Sequence, residues 1–280
     1  RRSGGVSSAA IACPRNLPPN PDENFMLTLT NVSRQFGGLA ALTNVNMTVP
    51  QGKITGLIGP NGAGKTTLIN NISGLDHPTS GTIQFAGADI SKAPPHRIAQ
   101  LGIARTYQNI RLFGEMTALE NLLISQHKRG TATAFEAMIF APRYRREERR
   151  LRETAMHLLD RFNLTHVANT RAGALPYGDQ RRLEMARALG TDPKLILLDE
   201  PTAGMNPVET HELGEQILRL NADGITVLVI EHDMSLISQV CEGIYVLNFG
   251  QIIAHGLYAQ LREDQRVIEA YLGEDDDGAA

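Results

Sequence analysis

The sequence predicts an α/β protein in which a mainly parallel sheet is covered by helices on both faces, after a β-rich start and with a helical stretch inserted midway. Three observations carry this. Apolar runs such as Ile54 to Ile58, Leu195 to Leu198 and Ile225 to Ile230 are short and nearly continuous, as strands covered on both faces require. Residues 27–49 hold strand-like runs separated by turns, without helices. Between Glu115 and Leu189 strand patterning fades, and Leu151, Ala155, Leu158, Leu159 and Phe162 recur at helical spacing.

Taken in order, strands are expected at Leu27 to Leu29 and at Val45 to Val49, on either side of the Gly37-Gly38 turn. They form an N-terminal antiparallel β subdomain. The buried strand Ile54 to Ile58 precedes a helix that starts after Lys65 and closes at Gly74. A turn at Ser80-Gly81 leads into Thr82 to Phe85, and Ile103 to Tyr107 reads as a further strand. The helical insert covers about 115–190. Beyond it come a strand at Leu195 to Leu198 and a helix opened by Asn206-Pro207, with Glu209 three residues after the cap. The strand Ile225 to Ile230, a helix from Asp233 and the strand Ile244 to Leu247 follow. No internal repeat is found, so one unit is expected at 26–273 and not a tandem pair. Residues 1–25, with Pro14, Pro18, Pro19 and Pro21, are expected to be a disordered extension upstream of Met26, and 274–280 an acidic tail.

Composition narrows the function classes. The 280 residues, 42% apolar and 20% charged, suffice to bury a sizeable core. Lys and Arg number 27 against 30 Asp and Glu, a net charge of -3, so no basic excess points to nucleic acid. Two cysteines, Cys13 and Cys241, cannot make a disulfide framework or a four-thiolate zinc site. No run approaches the ~18 apolar residues that a membrane-spanning helix needs.

The chemistry begins with Gly59, Pro60, Asn61, Gly62, Ala63, Gly64, Lys65 and Thr66, which fit G-x-x-x-x-G-K-[ST] directly after a buried strand and before helix-compatible Thr67 to Ile72. Glycines let backbone N–H groups wrap an anion, and the helix N-terminus adds a favourable field. Lys65 reaches terminal phosphates, and the Thr66 hydroxyl can ligate Mg²⁺. This predicts a P-loop NTPase (RecA-like) core. Leu195 to Leu198 then deliver Asp199 and Glu200 at a strand end, where a parallel sheet presents its ligand groups. Asp199 would hold Mg²⁺ through water, and Glu200 would polarise the water that attacks the γ-phosphate. A carboxylate pair at a strand end is by itself as often a helix cap.

Leu175-Pro176-Tyr177-Gly178-Asp179-Gln180-Arg181-Arg182, followed by Leu183 to Leu189, stands at the signature position of ABC-transporter ATP-binding subunits, and the chain resembles that family. The stretches Arg105 to Phe113, Ala203 to Pro207, Glu231 to Met234 and Val267 to Gly273 resemble more narrowly the LivG-type subunit of branched-chain amino-acid importers. The likeness covers about Met26 to Gly273. It implies that Phe36 is the aromatic platform for adenine, the alternative being a core residue. It further implies that Gln108 senses the attacking water and Mg²⁺, and that His232 is the switch histidine on the γ-phosphate. Tyr177, Gly178, Asp179 and Gln180, at a helix beginning near Gln180, would meet the ATP held by a second cassette. Pro176, Tyr177 and Asp179 depart from the serine, glycine and glutamine usual there. Also implied are transmembrane permease subunits, an external substrate-binding protein and a place on the cytoplasmic side of the membrane. The resemblance leaves open lipopolysaccharide export, another ABC transporter or a non-transport ABC ATPase. Arg143, Arg145, Arg146, Arg149, Arg150 and Arg152 form either a partner- or membrane-facing patch or a solvated helix face.

Overall fold

The structure, a computed structural model, describes residues 24–126 and 142–272. Strands β1 (Phe25–Phe36) and β2 (Leu39–Pro50) form an antiparallel hairpin turned at Gly37-Gly38, with Leu27 opposite Val49 and Leu29 opposite Met47. Their period-two alternation buries one face and leaves the other polar. Strand β3 (Ile54–Ile58) is buried throughout, and α1 (Lys65–Ile72) turns Leu68, Ile69 and Ile72 inward. Strands β4 (Ser80–Phe85) and β5 (Ala88–Asp89) complete an antiparallel sheet of order β2-β1-β4-β5. Helix α2 (Pro95–Leu101) and β6 (Ile103–Arg105) follow, and then the insert with α3 (Ala118–Ser125), α4 (Pro142–Arg161) and α5 (Tyr177–Gly190).

The chain returns to the core through β7 (Leu195–Asp199), α6 (Pro207–Ala222), β8 (Thr226–Ile230), α7 (Met234–Val240), β9 (Gly243–Asn248) and β10 (Gln251–Gly256). Helices α8 (Tyr258–Leu261) and α9 (Gln265–Leu272) end the described chain. The second sheet has the order β10-β9-β3-β8-β7-β6, parallel except for its β10 edge. Both faces are covered. Leu57, Leu197 and Leu228 pack toward the antiparallel sheet and α1, while Ile54, Ile196 and Val227 join a core that runs into the insert. Double coverage is why these strands read as continuous apolar runs.

The structure corrects the sequence reading at four places. Strand β1 starts at Phe25, inside the stretch assigned to the extension, because Phe25 pairs with Pro50; residues 1–23 and 274–280 lie outside the described residues. Strand β6 stops at Arg105, short of Tyr107, because Arg181 takes the carbonyls of Tyr107 and Gln108. Helix α5 begins at Tyr177, not near Gln180, since extended Pro176 caps it and its carbonyl accepts the Gln180 N–H at 3.0 Å. Strand β10 and helices α2, α8 and α9 add to the expected elements. The Asn206–Glu209 capping box is present as read: each residue's side chain accepts the other's backbone N–H at 2.9–3.0 Å.

Arg145, Arg146, Arg149, Arg150 and Arg152 are exposed along α4, while the side chain of Arg143 lies outside the described residues. Cys241 packs beneath β3, where a Cβ on Gly56 would come 3.0 Å from its sulfur. Burial pushes its thiol up to about 12, so it serves packing and not thiolate chemistry. Phe162, fully buried at the end of α4, joins the insert to the central core. Phe162→Ala is expected to destabilise the protein by about 3–5 kcal/mol, read as a lower urea midpoint at an unchanged slope.

Candidate functional site

The loop after β3 is shaped by close backbone contact. Gly59, Gly62 and Gly64 have φ of 153°, 75° and 104°. A Cβ on Gly59 would lie 2.0 Å from the Leu247 carbonyl oxygen of β9, and one on Gly64 would lie 2.7 Å from that of Ala41 in β2. At Gly59 and Gly64 glycine is therefore demanded by both dihedral and space, and at Gly62 by the dihedral alone. The turn between β9 and β10 holds the loop from outside, where Gly250 N–H donates to the Ala63 carbonyl at 2.8 Å. Lys65 is buried at the head of α1, and its Nζ donates to the carbonyls of Gly59 and of Pro60, the latter at 2.8 Å. Thr66 is exposed, Thr67 is half-buried, and no acidic residue sits in the first turn of α1. The loop thus presents backbone donors, a lysine and a helix N-terminus whose field favours an anion.

The neighbouring strands bring the carboxylates. Asp199 closes β7, and its Oδ2 accepts from Arg105 Nη2 at 2.7 Å. Arg105 also donates to Asn70 and Ser73 of the α1 region at 2.7 and 3.0 Å, tying β6, α1 and β7 together. Glu200 follows in a left-handed conformation, φ 45°, with its N–H on the Ile230 carbonyl at 2.9 Å. Gln108 Nε2 donates to Glu200 Oε2 at 2.7 Å, and His232 Nδ1 stands 3.9 Å from the same oxygen. Fully buried Glu231 underlies both loops. Its Oε1 accepts from Thr202 N–H and Oγ1 at 2.8 and 2.6 Å, and its Oε2 accepts from His232 and Asp233 N–H at 3.0 and 3.3 Å. Four donors satisfy a carboxylate that would otherwise be costly to bury.

Phe36, at the tip of the β1–β2 hairpin, is 46% exposed, which excludes the core-residue alternative. The Arg34 guanidinium lies 4.5 Å over one ring face and is itself held by Asp76 at 2.7–2.8 Å. The signature residues are tied to their own chain. Buried Asp179 pairs with Arg182, Gln180 Nε2 donates to the Leu175 carbonyl at 2.8 Å, and a Cβ on Gly178 would lie 3.2 Å from Glu209 Oε1. Tyr177 Oη donates to the Ala203 carbonyl at 2.8 Å. Within one chain, then, Gln108, Glu200 and His232 converge, while Tyr177, Gly178, Asp179 and Gln180 contact residues 175–209. Arg105, Glu231 and Arg181 had no role assigned from sequence. The available signals were an arginine at the end of an apolar strand and an acid closing the run Ile225 to Ile230.

The donor set fits a hard cation. The Thr66 hydroxyl, the Asp199 carboxylate and the Gln108 amide offer oxygen, and among the described residues no group of three or more His, Cys, Asp or Glu forms a metal cage on its own.

The family model described as "ABC transporter" matches residues 42–203, more than half of the chain. The chain belongs to this family. It is an ATP-binding cassette, an ATPase of the transporter class. A second model, "Branched-chain amino acid ATP-binding cassette transporter", matches residues 251–277. The cassette is 46% identical to the high-affinity branched-chain amino acid transport ATP-binding protein BraF of Pseudomonas aeruginosa, over 89% of this chain and 98% of that one. It is 44% identical to LivG of Escherichia coli over the same shares. Among solved structures, the ADP conformation of an ABC-transporter cassette matches with TM-score 0.78 and 36% identity, covering 89% of this chain and 99% of that one. A dimeric cassette in a post-hydrolysis state, bound to ADP and Pi, matches with TM-score 0.70 and 28% identity, over 83% and 98%.

Lys65→Ala is expected to weaken ATP binding by about 100-fold, the order of a lost charge-assisted contact to phosphate. Titration with a fluorescent ATP analogue measures it, and undiminished affinity would refute the phosphate assignment.

Proposed function

We propose that this cassette powers uptake of branched-chain or related amino acids, hydrolysing ATP on the cytoplasmic face of a membrane complex. One observation carries the mechanism: strands β3, β8, β7 and β6 are neighbours, and their carboxyl ends deliver Lys65 and Thr66, His232, Asp199 with Glu200, and Gln108 side by side. Residues Gly59 to Thr67 wrap the phosphates, and Phe36 offers its free face to adenine. Thr66, Asp199 and Gln108 would hold Mg²⁺, which when bound neutralises phosphate charge. Glu200 polarises the attacking water, Gln108 fixes the carboxylate that does so, and His232 meets the γ-phosphate.

The first-turn N–H groups of α5 at Tyr177, Gly178 and Asp179, with Gln180 closing that turn on the Pro176 carbonyl, would meet the nucleotide of a second cassette, identical or a paralogue. Gly178 lies within that turn, so loss of the usual serine leaves its backbone donor in place. A groove of about 330 Å³ between α2, β6 and the insert, lined by Ile98, Tyr107, Phe113, Ile124 and Arg187, backs onto the Gln108 segment and is the docking place for a permease subunit. The amino-acid class rests on the relatives' transport names and on the C-terminal segment 251–277, and it favours import over lipopolysaccharide export or non-transport roles. The substrate would be delivered by an external binding protein and never touches this chain.

Glu200→Gln should lower ATP hydrolysis by about 100-fold or more and trap an ATP-bound dimer on size-exclusion chromatography. A monomeric variant with normal turnover would overturn the general-base assignment. Uptake of labelled leucine by vesicles carrying the whole complex, lost with the same variant, tests the transport class.

A further inference from the structure

Tyr177 stands where the family signature has glycine, and its side chain does not point away from the chain that carries it. Its hydroxyl donates to the Ala203 carbonyl at 2.8 Å, and its ring lies against Gly204, where a Cβ would come 3.2 Å from Cε1. Gly204, at φ 77°, belongs to the loop that starts at Glu200, where Ala203 N–H bonds the Glu200 carbonyl at 3.2 Å. A second arm leaves the same helix one turn later. Buried Arg181, 5.6 Å over the Tyr177 ring, donates to the carbonyl of Tyr107 at 2.6 Å and to that of Gln108, whose side chain holds Glu200. Glu184 anchors this arm by pairing with Arg181 at 3.1 Å and accepting the Arg111 N–H at 3.2 Å.

We infer that Tyr177 is a positioning residue that couples the two nucleotide sites: the helix turn that reads the partner's ATP is clasped, within its own chain, to the loop carrying Glu200. The inference rests on the dimeric reading above. When the first turn of α5 docks on the partner's γ-phosphate, any displacement passes through the phenol to Ala203 and through Arg181 to Gln108. Both paths end at Glu200 of the same chain, which serves the other site. A glycine in place of Tyr177 has no side chain to make either the hydrogen bond or the ring contact. Occupancy of one site thereby sets the geometry of the general base in the other, a coupling free energy between sites.

The test compares Tyr177→Phe, which keeps the ring and removes only the hydroxyl, with Tyr177→Gly in the full-length chain. Hydrolysis by the parent protein should be cooperative in ATP. Tyr177→Phe should lower kcat about three- to tenfold, the range of one lost hydrogen bond. The Hill coefficient should fall toward 1, with half-saturating ATP within about twofold and Tm unchanged; Tyr177→Gly should go further in the same direction. In mixed dimers where one chain carries Glu200→Gln, the deficit should be larger when Tyr177→Phe lies on the chain that keeps Glu200. Unchanged kcat and Hill coefficient, a non-cooperative parent, a loss that tracks Tm, or a deficit that follows the opposite chain would each overturn the clasp. Glu200→Gln alone separates the two levels. If it traps a dimer and stops hydrolysis while Tyr177→Phe behaves as the parent, only the clasp fails; if it does neither, the underlying reading fails.

Discussion

The adjacency of β3, β8, β7 and β6 in one parallel sheet is the constraint on which the site depends. A parallel sheet brings its carboxyl-end loops to the same edge, so groups 32 to 167 positions apart in sequence are delivered there without any local signal linking them. Lys65 lies on one of those loops, Gln108 on another, and Glu200 and His232 on two more. The antiparallel sheet and the edge strand β10 serve that edge from behind. Gly59 is pressed on Leu247 and Gly64 on Ala41, and Gly250 holds the carbonyl of Ala63. The phosphate loop is therefore packed against two strands, β2 and β9, and against the turn that follows β9.

Around this edge the protein buries charge in matched sets. Arg105 with Asp199, Arg181 with Glu184, and Glu231 with its four donors all lie below the surface. Burial raises the Glu184 pKa from its ordinary carboxylate value, and the backbone N–H of Arg111 and the charge of Arg181 oppose that shift. Removing one partner from such a set strands a buried charge, at about 3–5 kcal/mol. The same groups give orientation: Arg105 spans three elements, Glu231 ties the loop after Glu200 to the loop of His232, and Arg181 takes carbonyls that a longer β6 would have used. Polar order of this kind connects the helical insert to the catalytic edge, and it places Tyr177 and Arg181 between the two.

Much was open to reading in the residues alone. The glycine spacing from Gly59 to Gly64 announces a phosphate loop because only that backbone can wrap an anion, and Asn206 with Glu209 announces a helix start because their side chains satisfy the first free N–H groups. Continuous apolar runs announce buried strands for an equally local reason. Strand β10 escaped because an edge strand is half solvated and shows little pattern. Helix α5 begins three residues before Gln180 because Pro176 caps it and accepts the Gln180 N–H, a contact that no residue spacing announces.

Chemistry carried by neighbours in sequence was thus settled by the chain's own order of residues: a phosphate loop, a carboxylate pair, a capped helix and the signature stretch. Which of them meet was settled by packing. Gln108 and Glu200 are 92 residues apart and share a 2.7 Å hydrogen bond, and Tyr177 grips a carbonyl 26 residues downstream. Spacing and periodicity report on backbone geometry over one or two turns. Contacts across the sheet depend on strand order and on which buried donor reaches which carbonyl, and those are consequences of the whole core closing at once.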